Sequence, residues 1–192
     1  EGLLKVDPQR LLGLNLLDDI LIATRHTNVP VSSGEILART KVRDLVVGRE
    51  VLDQAARLAA GEQHVLHILP YRTVKAAAVI TGREIFEGRK KDAFEPLLRR
   101  RMEEYASELG HVEIVPDDAP DISRAIATAL AGEAELVFVT GGGSPDDTTA
   151  QAVAQATDEV VFHGAPVSPG AMSILAYSGD TPVLGVPAGL LA

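Results

Sequence analysis

The sequence of 192 residues contains no cysteine and no tryptophan, and aromatic residues supply only 4% of it. Without cysteine the chain can form neither disulfides nor thiolate metal sites, and it has no cysteine nucleophile. No apolar run approaches the roughly 20 residues that a membrane-spanning helix requires. We therefore expect a soluble protein without a membrane partner, located in the cytoplasm.

Positive charge is also scarce, because 18 lysines and arginines stand against 27 aspartates and glutamates and give a formal net charge of −9. A molecule with this charge repels nucleic acids, so we expect no nucleic-acid partner. The hydrophobic content of 46% must come mainly from valine, isoleucine, leucine and alanine. Such residues suit buried strands covered by alanine-rich helices, which favours an α/β fold.

Strands and helices are predicted to alternate from residue 76 onward. This alternation is typical of a three-layer αβα domain with a mainly parallel sheet and right-handed crossovers. The apolar segments 173–177 and 183–186, separated by a turn sequence, predict an antiparallel hairpin at the edge of that sheet. The predicted strands are 76–80, 112–115 and 135–140, and the predicted helices are 92–109, 118–131 and 148–156.

The first third of the chain has a less regular pattern. Strands are predicted at 19–24 and 65–69, and a helix at 50–60 that ends at Gly61. We place a domain boundary near Thr73, which gives a small N-terminal α/β region (1–73) and a main domain (74–192). The chain begins without methionine, which suggests a processed or excised start, and we expect that the main domain is truncated at its C-terminus.

A glycine-rich turn follows the strand that ends at Thr140 and precedes the helix that begins at Thr148. Glycines at 141–143 allow backbone N–H groups to approach a ligand, and a helix N-terminus adds unpaired donors, so the turn is either an anion site or a structural turn. Asp146 and Asp147 follow the glycines. They could bind Mg²⁺ beside a phosphate, or one of them could cap the helix.

The segment from Val74 to Leu191 resembles the molybdopterin-binding domain shared by molybdopterin molybdotransferases and molybdopterin adenylyltransferases of molybdenum-cofactor synthesis. Six short motifs match in order, and their spacing is closer to the molybdotransferase branch. The matching motifs are Ile80–Ile85, Asp92, Ile114–Asp118, Thr140–Asp147, Val167–Gly170 and Gly185–Ala188.

The resemblance implies that the glycine-rich loop and nearby acidic residues hold the pterin phosphate, Mg²⁺ and the group being transferred. It implies catalytic roles for Glu84, Asp117 and Asp147, and metal ligation by Asp146 and Asp147. Glu84 could also form a solvated pair with Arg83. The implied ligand-binding residues are Thr140, Gly141, Gly142, Gly143, Ser144, Ser168, Pro169, Gly170, Gly185 and Pro187.

Other interpretations stay open, and the chain departs from the family at two motifs, of which Gly185–Leu190 lacks the usual asparagine and second proline. Asp117 and Asp118 could act as helix caps. Ser168–Ala171 stands where the transferases usually have Lys-Pro-Gly-Lys, and the two lost lysines remove charge-assisted contacts typically worth about 1.5–3 kcal/mol each. Lys90 and Lys91 could supply cations instead, whereas Arg99–Arg101 fits a solvated basic face.

The sequence favours a transferase that acts on molybdopterin by positioning and Mg²⁺-assisted electrostatics, without a covalent intermediate. The transferred group would be molybdate, or an adenylyl group from ATP. The alternative is a non-catalytic molybdopterin-binding or carrier module, and a general nucleotide-binding domain is disfavoured by the few aromatic residues. We expect a small anionic pterin as ligand and a homo-oligomeric protein.

Overall fold

The computed structural model describes residues 1–60, 64–141, 148–187 and 189. The chain divides into two compact units, Glu1–Tyr71 and Arg72–Ala192. Gly61, which was predicted to end the helix of the first unit, lies outside the described residues.

The first unit contains two small antiparallel sheets and two helices. One sheet has the order β3-β1-β5, and the other is the pair β2-β4. The Asp7 carboxylate accepts hydrogen bonds from the backbone N–H groups of Gln9 and Arg10 and so caps the first helix, whose start is fixed by Pro8. Its elements are β1 (Gly2–Val6), α1 (Pro8–Asn15), β2 (Ile20–Thr24), β3 (Val29–Val31), β4 (Ala38–Val42), α2 (Arg49–Ala59) and β5 (Leu66–Pro70).

The second unit is built on a six-stranded sheet with the order β7-β6-β8-β11-β10-β9. The first four strands in this order are parallel, whereas β10 is antiparallel to both of its neighbours. The prediction of an α/β fold with a mainly parallel sheet is therefore confirmed. The strands are β6 (Lys75–Thr81), β7 (Glu108–Val115), β8 (Leu136–Thr140), β9 (Glu159–His163), β10 (Ile174–Ser178) and β11 (Thr181–Val186).

Helices cover both faces of this sheet. Alternate residues of β6 show the division, because Ala77 and Val79 pack in one core with α5 and α6, whereas Ala78 and Ile80 pack in another with α4. A strand buried on both faces needs a continuous apolar run, which explains the sequence of β6. The helices are α3 (Arg83–Phe86), α4 (Phe94–Glu104), α5 (Ala119–Ala131) and α6 (Thr148–Ala156).

Two details of the prediction are wrong. The hairpin β10–β11 forms, but it does not lie at the sheet edge, because β11 pairs with β8 and the unpredicted strand β9 lies outside β10. The helix predicted at 92–109 ends at Glu104, because Ala106 adopts a φ of 51° and the chain turns into β7. Neither glycine nor proline marks this turn in the sequence.

Candidate functional site

The carboxyl ends of four neighbouring parallel strands lie in register at one edge of the sheet. Thr81 of β6 is paired with Val115 of β7, and Thr140 of β8 is paired with both Ile80 of β6 and Val186 of β11. The chain segments that follow these strands therefore leave the sheet side by side. In open parallel sheets this is the edge where ligands bind.

The loop between β9 and β10 reaches the same edge. His163 ends β9 and is paired with Ile174, which in turn is paired with Gly185 near the end of β11. The predicted residues Ser168, Pro169 and Gly170 belong to this loop. A Cβ atom on Gly189 would lie 3.8 Å from the Cβ of Pro169, so the loop contacts the segment that follows β11.

Gly141 has no room for a side chain. Its φ is 136°, and a Cβ atom at this position would overlap the Thr81 hydroxyl oxygen and lie 3.1 Å from that of Thr149. The Gly141 N–H donates to the carbonyl oxygen of Val186 at 3.4 Å. This glycine therefore lets the chain leave β8 close against the ends of β6 and α6, which only a residue without Cβ can do.

Buried hydroxyl groups surround this turn. The Thr81 hydroxyl donates to the carbonyl oxygen of Thr140 at 2.7 Å, and the Thr140 side chain is fully buried. Among the described residues its hydroxyl has no hydrogen-bond partner. Such a group costs stability unless something beyond these residues satisfies it.

The sequence reasoning missed Thr81 and Thr149. Both are buried and both adjoin Gly141. The available signal was a threonine at the end of an apolar strand, together with a second threonine in the first turn of the helix that follows the glycine-rich loop.

The acidic residues of the predicted site are only partly described. Glu84 lies in the short helix α3 after β6, Asp117 follows β7, and both are exposed at the edge described above. Asp118 occupies the N-cap position of α5 without a side-chain capping bond. Gly142, Gly143, Ser144, Asp146 and Asp147 lie outside the described residues.

The described residues contain no group of three acidic or histidine side chains that could hold a metal ion.

Gly185 and Pro187 are buried. A Cβ atom on Gly185 would lie 2.8 Å from the Cβ of its cross-strand partner Ile174. Close packing between β10 and β11 therefore explains why position 185 is glycine, and no contact with a ligand is needed to explain it.

Two of the three arginines of α4 are engaged in surface ion pairs. Arg99 contacts Glu95 at 2.8 Å, and Arg101 contacts Glu104 at 2.9 Å. Lys90 lies nearer the candidate site, because its backbone N–H donates to the carbonyl oxygen of Glu84. The exposed segment around Lys90 therefore lies beside Glu84 at this edge of the sheet.

A cavity of about 390 Å³ lies at the opposite ends of these strands, near the starts of β6, β7 and β8. Lys75 and Glu133 line it and form a 2.6 Å ion pair. This hydrogen bond is the main cause that raises the pKa of Lys75 and lowers the pKa of Glu133. The cavity is separate from the described members of the predicted ligand-binding set, which lie at or near the opposite ends of these strands.

None of the described helices is long and apolar enough to cross a membrane.

Relatives and solved structures resemble parts of this chain. A CinA-like protein of Mycolicibacterium vanbaalenii is 32% identical over 85 residues, which is 43% of this chain and 20% of that protein. The matched segment thus spans about a fifth of this relative.

Two solved structures resemble the chain more broadly. A putative molybdenum cofactor biosynthesis protein of Corynebacterium diphtheriae is 26% identical with a TM-score of 0.50, over 62% of this chain and 86% of that one. The molybdopterin biosynthesis MoeA protein of Pyrococcus horikosii is 25% identical with a TM-score of 0.51, over 71% of this chain and 35% of that one.

The family model described as a probable molybdopterin binding domain matches residues 77–190. This range begins in β6 and runs through all the strands whose carboxyl ends form the candidate site. The match covers more than half of the chain, and the fold agrees with it. The chain therefore belongs to the family of probable molybdopterin-binding domains that also occurs in molybdenum-cofactor biosynthesis proteins.

Proposed function

We propose that this protein binds molybdopterin at the carboxyl edge of β7, β6, β8 and β11 and acts on it as a Mg²⁺-dependent transferase. The observation that carries the proposal is the aligned set of strand ends, where Gly141 packs against the hydroxyl groups of Thr81 and Thr149. This packing puts the start of the glycine-rich loop directly in front of α6. A loop in that position can present backbone donors to a phosphate.

The protein's own charge does not attract an anion. With a net charge of −9 the chain as a whole repels a phosphate, so local backbone donors must supply most of the attraction. The N-terminal turn of α6 offers such donors together with the positive end of the helix dipole. We assign phosphate binding to Gly141, Gly142, Gly143 and Ser144 for this reason.

The acidic residues fit Mg²⁺ in their chemistry. Carboxylate oxygens are the protein ligands that Mg²⁺ prefers, and it usually binds through one or two of them together with substrate phosphates. Asp146 and Asp147 are the proposed ligands, and a bound Mg²⁺ would neutralise charge on the phosphate and on the transferred group. Glu84 and Asp117, exposed at the same edge, are the proposed acid–base residues.

The transferred group is either molybdate or an adenylyl group from ATP. The spacing of the six sequence motifs, which is closer to the molybdotransferase branch, favours the first of these reactions. Ser168–Ala171 lacks both lysines of the family motif, so we expect an oxyanion to bind more weakly there. Lys90, whose backbone N–H donates to the Glu84 carbonyl oxygen, is proposed to supply a cation in place of these lysines.

The same missing lysines favour a second candidate function. A protein that only binds or carries molybdopterin does not need cations to stabilise a developing charge during transfer. The loop at 164–173 reaches the site with Ser168 and Ala171 in place of those cations. This candidate differs from the first by the lack of turnover, and not by its ligand. In either case we propose a cytoplasmic protein.

Mass spectrometry of the natively purified protein tests the shared part of both candidates. We expect a pterin, or its oxidised derivative, to be released on denaturation in an amount that approaches one per chain. Release from the Gly13→Ala variant, which changes a helical glycine with open space around it, should be the same. A flavin, a tetrapyrrole or a plain nucleotide in place of the pterin would contradict the proposal.

A further inference from the structure

Hydrogen bonds outside the regular strand pairing join the four parallel strands at the candidate site. The link between β6 and β8 comes from a side chain, because the Thr81 hydroxyl donates to the carbonyl oxygen of Thr140 at 2.7 Å. A substitution at Thr81 can therefore remove this link without changing any backbone group. The links on either side of it are made by the backbone: the Gly82 N–H donates to the Val115 carbonyl oxygen at 3.2 Å, and the Gly141 N–H donates to that of Val186 at 3.4 Å.

Thr81 occupies a place in β6 that an apolar residue could fill. It lies two residues after Val79, so its side chain is on the face of the sheet covered by α5 and α6. Only 5% of the residue is exposed. A valine would fill the same space without burying a hydroxyl group, whose removal from water costs stability unless it is hydrogen-bonded. The bond to Thr140 offsets this cost and gives the hydroxyl a partner at the end of the neighbouring strand.

The Thr81 hydroxyl also limits where Gly141 can lie. A Cβ atom on Gly141 would overlap this oxygen, so the glycine backbone passes directly against it. On the other side the same Cβ atom would lie 3.1 Å from the hydroxyl oxygen of Thr149, in the first turn of α6. Gly141 is the first residue after β8, so this contact sets the point from which the glycine-rich loop starts.

The same bond connects two segments that carry different parts of the proposed site. β6 leads into α3, which contains the proposed acid–base residue Glu84. β8 leads into the glycine-rich loop that is proposed to hold the phosphate. Because Thr81 ends β6 and Thr140 ends β8, a bond between them fixes the two segments relative to each other. Such spacing matters, since a misplacement of about 1 Å can cost about 10²-fold in rate.

We propose that Thr81 is a positioning residue, whose hydrogen bond to Thr140 holds the start of the phosphate-binding loop at Gly141 in a fixed place relative to Glu84. In this role it acts through Thr140 and Gly141 and does not contact the ligand. The inference rests on the proposed function, because it assumes that molybdopterin binds at this edge of the sheet.

Thr81→Val and Thr81→Ser form the matched pair of variants that tests this role. Valine keeps the shape of the side chain and loses the donor, whereas serine keeps the donor and loses a methyl group. Two quantities are measured on the full chain at a temperature where every variant is folded. They are the hydrogen-exchange rate of the Gly141 amide, by NMR, and the Kd for molybdopterin, by calorimetry.

We expect Thr81→Val to raise both the Gly141 exchange rate and the Kd by about tenfold or more, because the start of the loop is no longer held. Thr81→Ser should keep both quantities within about threefold of the wild type, because the hydroxyl donor is still present.

Ile126→Val is the control for a general loss of stability. Ile126 is fully buried in α5, and removing one methylene group there destabilises the core without changing a strand end. This variant should bind molybdopterin as the wild type does. Its Gly141 amide should exchange faster only by the factor that its lower free energy of unfolding accounts for.

The proposal is supported if Thr81→Val changes both quantities, Thr81→Ser restores both, and Ile126→Val reproduces neither effect. It is overturned if Thr81→Val changes only one quantity or none, if Thr81→Ser behaves like Thr81→Val, or if Ile126→Val has the same effects. A wild type without affinity for molybdopterin would refute the proposed function instead. The Gly141 exchange rates of the three variants would then decide by themselves whether Thr81 positions the loop.

Discussion

Thr81 and Thr140 join the ends of two neighbouring strands at the candidate site. The Thr81 hydroxyl donates a 2.7 Å hydrogen bond to the Thr140 carbonyl oxygen, and both side chains are buried. The same hydroxyl oxygen occupies the space that a side chain on Gly141 would need. One threonine thus holds the end of β8 and fixes where the glycine-rich loop begins.

Thr81→Val should destabilise the protein, because it keeps the side-chain size and removes the donor from a buried carbonyl. We expect the free energy of unfolding to fall by about 1–2 kcal/mol, measured by urea denaturation. Thr128→Val is the matched control, since the Thr128 hydroxyl is exposed and donates to the carbonyl oxygen of Arg124 one turn earlier in α5. An equal loss of unfolding free energy in both variants would show that the Thr81 hydrogen bond contributes no more to stability than that of Thr128.

Gly185→Ala should destabilise the second unit, because the added Cβ would lie 2.8 Å from the Cβ of Ile174. We expect a loss of about 1–3 kcal/mol in the free energy of unfolding, whereas Gly13→Ala should be neutral or stabilising by up to about 1 kcal/mol. If Gly185 only packs, the folded variant should keep its affinity for pterin. A large fall in affinity at a temperature where the variant is fully folded would instead give Gly185 a place at the ligand.

The ion pair between Lys75 and Glu133 predicts a pH dependence. The hydrogen bond from Lys75 lowers the pKa of Glu133, so its stabilising contribution is present above the ordinary carboxyl pKa and is lost as the pH falls through the lowered value. The raised pKa of Lys75 gives the opposite dependence, and its contribution is lost as the pH rises through that raised value. Both groups are exposed, so the effect on stability should be small.

Carbon-detected NMR titration of the Glu133 carboxyl group measures this directly. Lys75→Met should move the pKa of Glu133 back towards its ordinary value, and Arg101→Met, which removes a different surface pair, should leave it unchanged. An unchanged titration curve in Lys75→Met would show that the pair does not persist in solution.

Asp147→Asn should separate the two candidate functions, because it keeps the side-chain size and removes the charge. A Mg²⁺-dependent transferase should lose turnover by about 10²-fold or more with a modest loss of pterin affinity. A carrier should show no turnover even as wild type, and the variant should bind the anion equally well or more tightly, because a repelling carboxylate has gone. Asp180→Asn, in the exposed turn between β10 and β11, is the control for a general change of charge.

The sequence predicted the central part of the fold because its signals there are local and strong. The strand around Ala76–Ile80 is apolar throughout since both of its faces are covered, and α5 shows an unbroken helical stripe that ends at Gly132. The alternation of strands and helices then predicts a mainly parallel sheet with right-handed crossovers, but it does not specify the strand order. In a parallel sheet the carboxyl ends of the strands meet at one edge, which is why the sequence predicts a site there.

Other features depend on contacts that a sequence does not display. Strand β9 is short and carries no alternating pattern, so its place outside β10 is decided by pairing alone. The turn at Ala106 lacks glycine, and nothing local marks the end of α4 there. Thr81 and Thr149 are distant in sequence and meet only around Gly141. Tertiary contacts determine all three features.

Calorimetric titration of the protein with molybdopterin tests the central claim most directly, with Gly142→Val and Gly13→Ala as a matched pair of glycine variants. Gly142 belongs to the loop whose backbone is proposed to approach the phosphate, so a valine there should abolish binding while the melting temperature stays close to that of the wild type. Gly13→Ala, in α1 of the other unit, should bind as the wild type does. Undiminished binding by a folded Gly142→Val variant, or no binding by the wild type, would contradict the account.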